Sequence, residues 1–264
     1  MTRTAVRWFL ISVLTLAPLG AFAQDAPAAA ETAAAEPAPA ELDDLAKADA
    51  IYDKGGLKNV KESLPLYEKV VAAKPDDYEA NWKMGRAYRE YANLSMERNV
   101  NGWKGICKEY GKKALNYAGK ATQLKPKGME GHFWYGCAAG TYADGVSIVT
   151  ALSEGLADKT KVGFETAYKI DKRYSTGGPI KALGRYWTVL PWPLKDLKKG
   201  MKYLDEYEKA YPNNCEGQVY LAEALIDRDD KGDEERAKAV LQKTLKCKNK
   251  FYVKQAQKLL KDLD

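Results

Sequence analysis

The sequence predicts an all-α fold, and three observations carry that reading. Apolar residues recur three and four positions apart, as at Leu64, Tyr67, Val70 and Val71, the spacing of one helical face. Turn signals rich in Pro, Gly, Asn and Asp punctuate the chain at 74–77, 125–128, 175–179, 211–214 and 229–233. No stretch sustains the alternation and β-branched enrichment of a strand.

At the N-terminus, residues 1–23 hold two arginines, then the apolar run WFLISVLTLAPLG, then Ala-Phe-Ala before Gln24. This is the pattern of a secretory signal peptide, too short for a comfortable membrane span. The first cysteine is Cys107, so lipid attachment at the cleavage point is not available. Residues 24–41 are mostly Ala, Pro and Glu, with nothing to bury, and read as a disordered linker. Residues 42–264 are expected to form a single helical domain. The mature chain is expected in the periplasm, soluble and in an oxidising compartment.

Within that domain the helices are expected to pair. Aligned on small residues, the chain shows a tetratricopeptide-like pattern with a period of roughly 34 residues. Residues 60–75 supply the second helix of the first unit. The next unit pairs 79–88, with Ala80, Gly85 and Tyr88, with 112–126, with Ala114, Ala121 and Pro126. A further unit starts at 131–140 around Gly136 and returns at 163–171. Another begins at 180–187 around Gly184 and returns at 199–212. GQVYLAEALI and ERAKAVLQKTL form the last pair, and FYVKQAQKLLKDL caps the stack. The whole is a helical-hairpin superhelix or bundle with two long insertions, at 89–111 and 141–162, and a C-terminal capping helix. Extra length in such stacks often falls on the binding face.

Composition narrows the function. The 264 residues are 45% hydrophobic and 30% charged, enough for a sizeable core, and the formal charge is +6. The charges read as alternating in sign on solvated helix faces, with no dense basic block, so no nucleic-acid partner is expected. His132 is the one histidine and sits in the first turn of a helix, which points to a structural role. Residues 105–113 approach a phosphate-binding loop, but the spacing is one residue too long and no Ser or Thr follows the lysine. No catalytic residue, metal site or cofactor is expected, and the protein is read as non-enzymatic.

The segment YSTGGPIKALGRYWTVLPWP (174–193) is the most distinctive. Gly177 and Gly178 admit backbone angles closed to other residues, Pro179 suits a first helical turn, and Pro191 and Pro193 stop the helix around Trp192. Gly184 admits a neighbouring helix, and Arg185 beside it is placed to pair with an acid between repeats. With EGHFWYG upstream and DLKKGMKYLDEYEKAYPN downstream, this segment resembles the TatT family, T-components associated with TRAP transporters. The eukaryotic regulator of microtubule dynamics family is similar in the same segment. The resemblance covers roughly residues 45–250. It implies a periplasmic transport accessory working with a periplasmic solute-binding protein and taking a small apolar ligand of the lipid, fatty-acid or sterol class.

Residues that would wall such a cavity are Trp103, Phe133, Tyr142, Tyr174, Trp187 and Trp192, drawn from the two insertions and the proline-flanked corner. Their competing role is plain core filling. The alternative function is a protein–protein interaction scaffold of an envelope complex with no small-molecule ligand; a homo-oligomer is left open. Cys215 opens the first helix of the last hairpin and Cys247 closes the second, so their ends are expected to be neighbours and to form a disulfide. Cys107 and Cys137 are the leftover pair, at helix positions that match less well.

Overall fold

The computed structural model describes residues 43–263. The signal peptide assigned to 1–23 and the linker assigned to 24–41 lie outside the described residues. Among the described residues there are twelve helices and no strand. They are α1 (Asp44–Tyr52), α2 (Gly56–Ala73), α3 (Tyr78–Glu97), α4 (Trp103–Leu124), α5 (Met129–Asp144) and α6 (Ile148–Ser153). Then follow α7 (Leu156–Asp171), α8 (Tyr174–Val189), α9 (Leu197–Ala210), α10 (Cys215–Arg228), α11 (Asp233–Thr244) and α12 (Lys250–Leu263).

The turn chemistry sets the helix boundaries. Asp77 begins α3 by accepting a hydrogen bond from the Ala80 amide at 2.7 Å, and Asn214 begins α10 through the Gly217 amide at 2.8 Å. Each side chain satisfies an amide that the first helical turn leaves without a partner. The helices pair as α1–α2, α3–α4, α5–α7, α8–α9 and α10–α11, each hairpin packs on the next, and α12 closes the end. Since α3 also touches α5, and α8 touches α10, the first helices of the hairpins form the inner row of a superhelix.

Small residues let these helices approach. A Cβ on Gly163 would stand 2.7 Å from the backbone nitrogen of Gly136, and one on Gly136 would meet the Phe164 ring at 2.6 Å. The α5–α7 crossing is therefore open only to glycine at both positions. The start of α8 is less regular than the sequence suggests. Ser175, Thr176 and Gly177 have φ of 49°, 56° and 71°, so the chain turns in the left-handed region before the helix proper runs from Gly178 and Pro179.

The two expected insertions resolve differently. The first becomes helix: α3 and α4 extend to 20 and 22 residues. The second holds the six-residue α6, which packs on α7.

Candidate functional site

The six aromatic residues expected to wall one cavity do not converge. Phe133 and Tyr174 come together, with ring centroids 5.4 Å apart, but Phe133 is fully buried and also packs on Trp134 and Phe164. The Tyr174 hydroxyl accepts from Trp134 Nε1 at 3.2 Å. Tyr142 is buried as well, its hydroxyl donating to Glu154 Oε1 at 2.9 Å. Trp103 starts α4 with Lys104 Nζ 5.7 Å from its ring centroid. Trp187 is half-buried against Tyr186, with Lys199 Nζ 3.7 Å above its ring. Trp192 is 89% exposed. The expected common aromatic wall is thus corrected: Phe133, Tyr142 and Tyr174 pack in helix interfaces, and Trp192 stands in solvent.

Trp187 borders a small cavity. Its cavity, about 190 Å³, is shared with Leu152, Gly155 and Leu194, so the second insertion contributes to it. The large cavity lies elsewhere. It is a groove of about 1410 Å³ between the C-terminal half of α3, the start of α8, the start of α10 and the segment running from the end of α11 into α12. The first insertion supplies Glu90, Leu94, Glu97, Arg98 and Asn99 to its wall.

The groove floor is ionic. Lys181 and Glu216 form a buried pair, and Tyr220 donates to Glu216 Oε1 at 2.7 Å. Arg89, fully buried, donates to Glu90 Oε2 at 3.0 Å and to Asn93 Oδ1 at 3.4 Å. Asn93 Nδ2 then donates to Glu97 Oε1 at 2.8 Å. Next along the inner row, Arg185 pairs with Glu223, the acid between repeats anticipated for it. Buried charges persist only when partnered in this way, because desolvation otherwise outweighs their attraction. Burial, with Glu90 and Glu216 nearby, pushes the Glu97 carboxyl up to about 8, and burial raises Glu90 despite the opposing pull of Arg89.

The rim is different in kind. Lys243 of α11, Lys246 and Lys248 of the connection after it, and Lys250 and Lys254 of α12 line the groove, with Arg98 just past the end of α3 facing the same space. All six are exposed, and none has an acidic partner among the described residues. The sequence carried this signal. From Arg236 to Lys261 there are nine basic residues and no acid, so the alternation of charge expected along the chain fails over this stretch. Its lysines fall at helical spacing and read like an ordinary solvated face, and only the fold shows them bordering a cavity.

Cys215 and Cys247 are joined by a disulfide with Cα atoms 6.2 Å apart, and the bridge lies in the groove wall. Cys107 and Cys137 are free and buried, and burial pushes both thiols up to about 12. Neither is a reactive thiolate at neutral pH. His132 Nε2 bonds the Pro126 carbonyl at 2.8 Å, tying α5 to the turn before it.

Stacked helical hairpins around a concave groove define a helical-repeat protein of the tetratricopeptide class. The fold has a solved counterpart in TTC0263, a thermophilic tetratricopeptide repeat protein of Thermus thermophilus. The two are 16% identical, superpose with a TM-score of 0.58, and align over 82% of this chain and 97% of the other. Yeast Tom70 is a more distant match, at 10% identity and a TM-score of 0.36 over 80% of this chain and 60% of its own. No curated protein matches the chain. The model of the regulator of microtubule dynamics protein 1-3 family matches residues 44–186, more than half of the sequence, and the chain belongs to that family.

Proposed function

We propose that the protein is a non-enzymatic interaction scaffold that holds a segment of a partner protein in the groove between α3 and α12. The observation that carries this reading is the groove itself, about 1410 Å³ of concave space walled by elements from both ends of the stack. Concave faces are the surfaces by which helical-repeat proteins engage partners. The leader-like N-terminus and the Cys215–Cys247 bridge support a periplasmic setting. The resemblance to TatT proteins supports a periplasmic solute-binding protein of a transport system as the partner.

A small apolar ligand is the less favoured reading. The groove floor and rim are charged, and the cavity beside Trp187, at about 190 Å³, is small for a lipid. Small-molecule sites usually enclose roughly 300–1,000 Å³.

The test is site-specific photo-crosslinking of the exported protein in its host. A crosslinker at Leu94 or Phe251, in the groove, is expected to capture one defined partner chain. A crosslinker at Val149, exposed and outside the groove, is expected to capture none. A stoichiometric lipid extracted from the purified protein, with no groove crosslink, overturns the scaffold in favour of the apolar ligand.

A further inference from the structure

The rim lysines call for a counter-charge that the chain does not supply. Seven cationic side chains line the groove against three carboxylates. Those carboxylates are already engaged: Glu216 by Lys181, Glu90 by Arg89, and Glu97 through Asn93. Elsewhere on the surface many lysines are paired, for example Lys69 with Asp44 at 2.6 Å and Lys161 with Asp158 at 2.9 Å. The unpaired cations at the groove mouth are gathered on one side, from Lys243 to Lys254, with Arg98 opposite. Cations arranged in this way raise the local concentration of anions and steer their approach.

We infer that the groove binds an acidic, extended protein segment, its Asp and Glu side chains meeting the lysines between Lys243 and Lys254 and its backbone lying along the groove wall. This deepens the scaffold reading and rests on it. The wall fits a polypeptide rather than another polyanion. Asn99 and Asn213 are exposed on it, with side-chain amides that no hydrogen bond among the described residues engages, and an amide can both donate to and accept from a peptide backbone. Leu94, Phe251 and Tyr252 add apolar contact for the side chains interspersed along such a segment. Lysine ammonium groups on flexible stems tolerate carboxylates at uneven spacing, whereas fixed recognition of phosphate favours arginine forks.

The experiment measures binding of the full mature chain to fluorescein-labelled glutamate-rich, glutamine-rich and lysine-rich peptides of equal length, at low and at physiological salt. Only the glutamate-rich peptide is expected to bind, and more weakly as salt rises. The triple variant Lys246→Glu, Lys248→Glu, Lys250→Glu is expected to lose roughly tenfold or more in affinity. A control triple variant, Lys127→Glu, Lys169→Glu, Lys231→Glu, changes net charge equally at exposed sites away from the groove, and is expected to lose less than about threefold. Circular dichroism confirms that both variants fold. Equal losses in the two variants overturn the proposal, as does preference for the glutamine-rich or lysine-rich peptide. Tighter binding to anionic phospholipid vesicles or to a single-stranded oligonucleotide than to the acidic peptide also overturns it. A crosslinked partner whose groove contact is neutral or basic refutes this inference and leaves the scaffold standing. Failure of every groove crosslink removes both.

Discussion

Helices α5 and α12 are nearly the same length, 16 and 14 residues, yet the fold treats them in opposite ways. Twelve residues of α5 are buried, and small or aromatic side chains face its neighbours on nearly every side. In α12 only Tyr252 and Ala256 are buried, and Lys250, Lys254, Lys258 and Lys261 are exposed along its length. A helix that is apolar all round belongs inside, and one with a single apolar stripe belongs at a boundary. The stack therefore separates its duties. The middle hairpins hold most of the buried packing, and the closing end carries the unpaired charge that lines the groove.

Phe133→Ala tests the first half of that contrast. It empties the centre of the α5–α7–α8 interface and is expected to destabilise by about 3–5 kcal/mol, read from urea unfolding. A loss below about 1 kcal/mol would mean that α5 is not the packing centre. At the closing end, the double variant Cys215→Ser, Cys247→Ser is expected to lose about 2–4 kcal/mol, because the bridge closes a 32-residue separation. Hydrogen exchange should show that loss concentrated in α11 and α12 and sparing α5; an even spread would erase the distinction between the regions.

Glu97 stands between the two regions and gives the comparison a pH axis. Its carboxyl is raised to about 8 in the folded chain, above its unfolded value of 4.5. An acid shifted upward favours folding while protonated. Its contribution is complete below the unfolded value and is lost as pH rises from about 4.5 to about 8. Glu97→Gln keeps the acceptor for Asn93 and removes the charge. The variant is expected to match the parent near pH 4 and to exceed it by roughly 1–3 kcal/mol near pH 9. Thermal melts across that range check this, and parallel curves would show that Glu97 is solvated in the groove. The smallest effect is expected of Trp192→Ala. With the ring 89% exposed, its removal should change stability by less than about 0.5 kcal/mol, and a larger loss would place packing where none is seen.

Much of the architecture was legible in the residues. The turn signals at 74–77, 125–128 and 211–214 fall between helices and that at 229–233 runs into the start of α11, because Asp, Asn, Pro and Gly act locally through caps and backbone angles. Gly136 and Gly184 marked close crossings because only a missing side chain permits them. The site was less legible. Whether Phe133 plugs a core or lines a hole depends on what arrives opposite it, and Phe164 and Tyr174 come from other hairpins. The Lys181–Glu216 pair joins residues 35 apart in sequence, a separation that no local pattern announces. The basic run from Arg236 was visible, but its role as a rim depends on Arg98 and Leu94 standing across the space.

The groove's two walls, α3 and α12, belong to opposite ends of the stack, so its aperture is a sum over every crossing between them. A slight rotation at one hairpin is multiplied by the lever arm of those beyond it, as the pitch of a spring is set by each coil. Gly85, Gly136, Gly184 and Gly217, sitting at successive crossings, are in that sense the pitch-setting elements. A methyl group added at any one of them acts at a distance, on the width of a mouth that it does not touch.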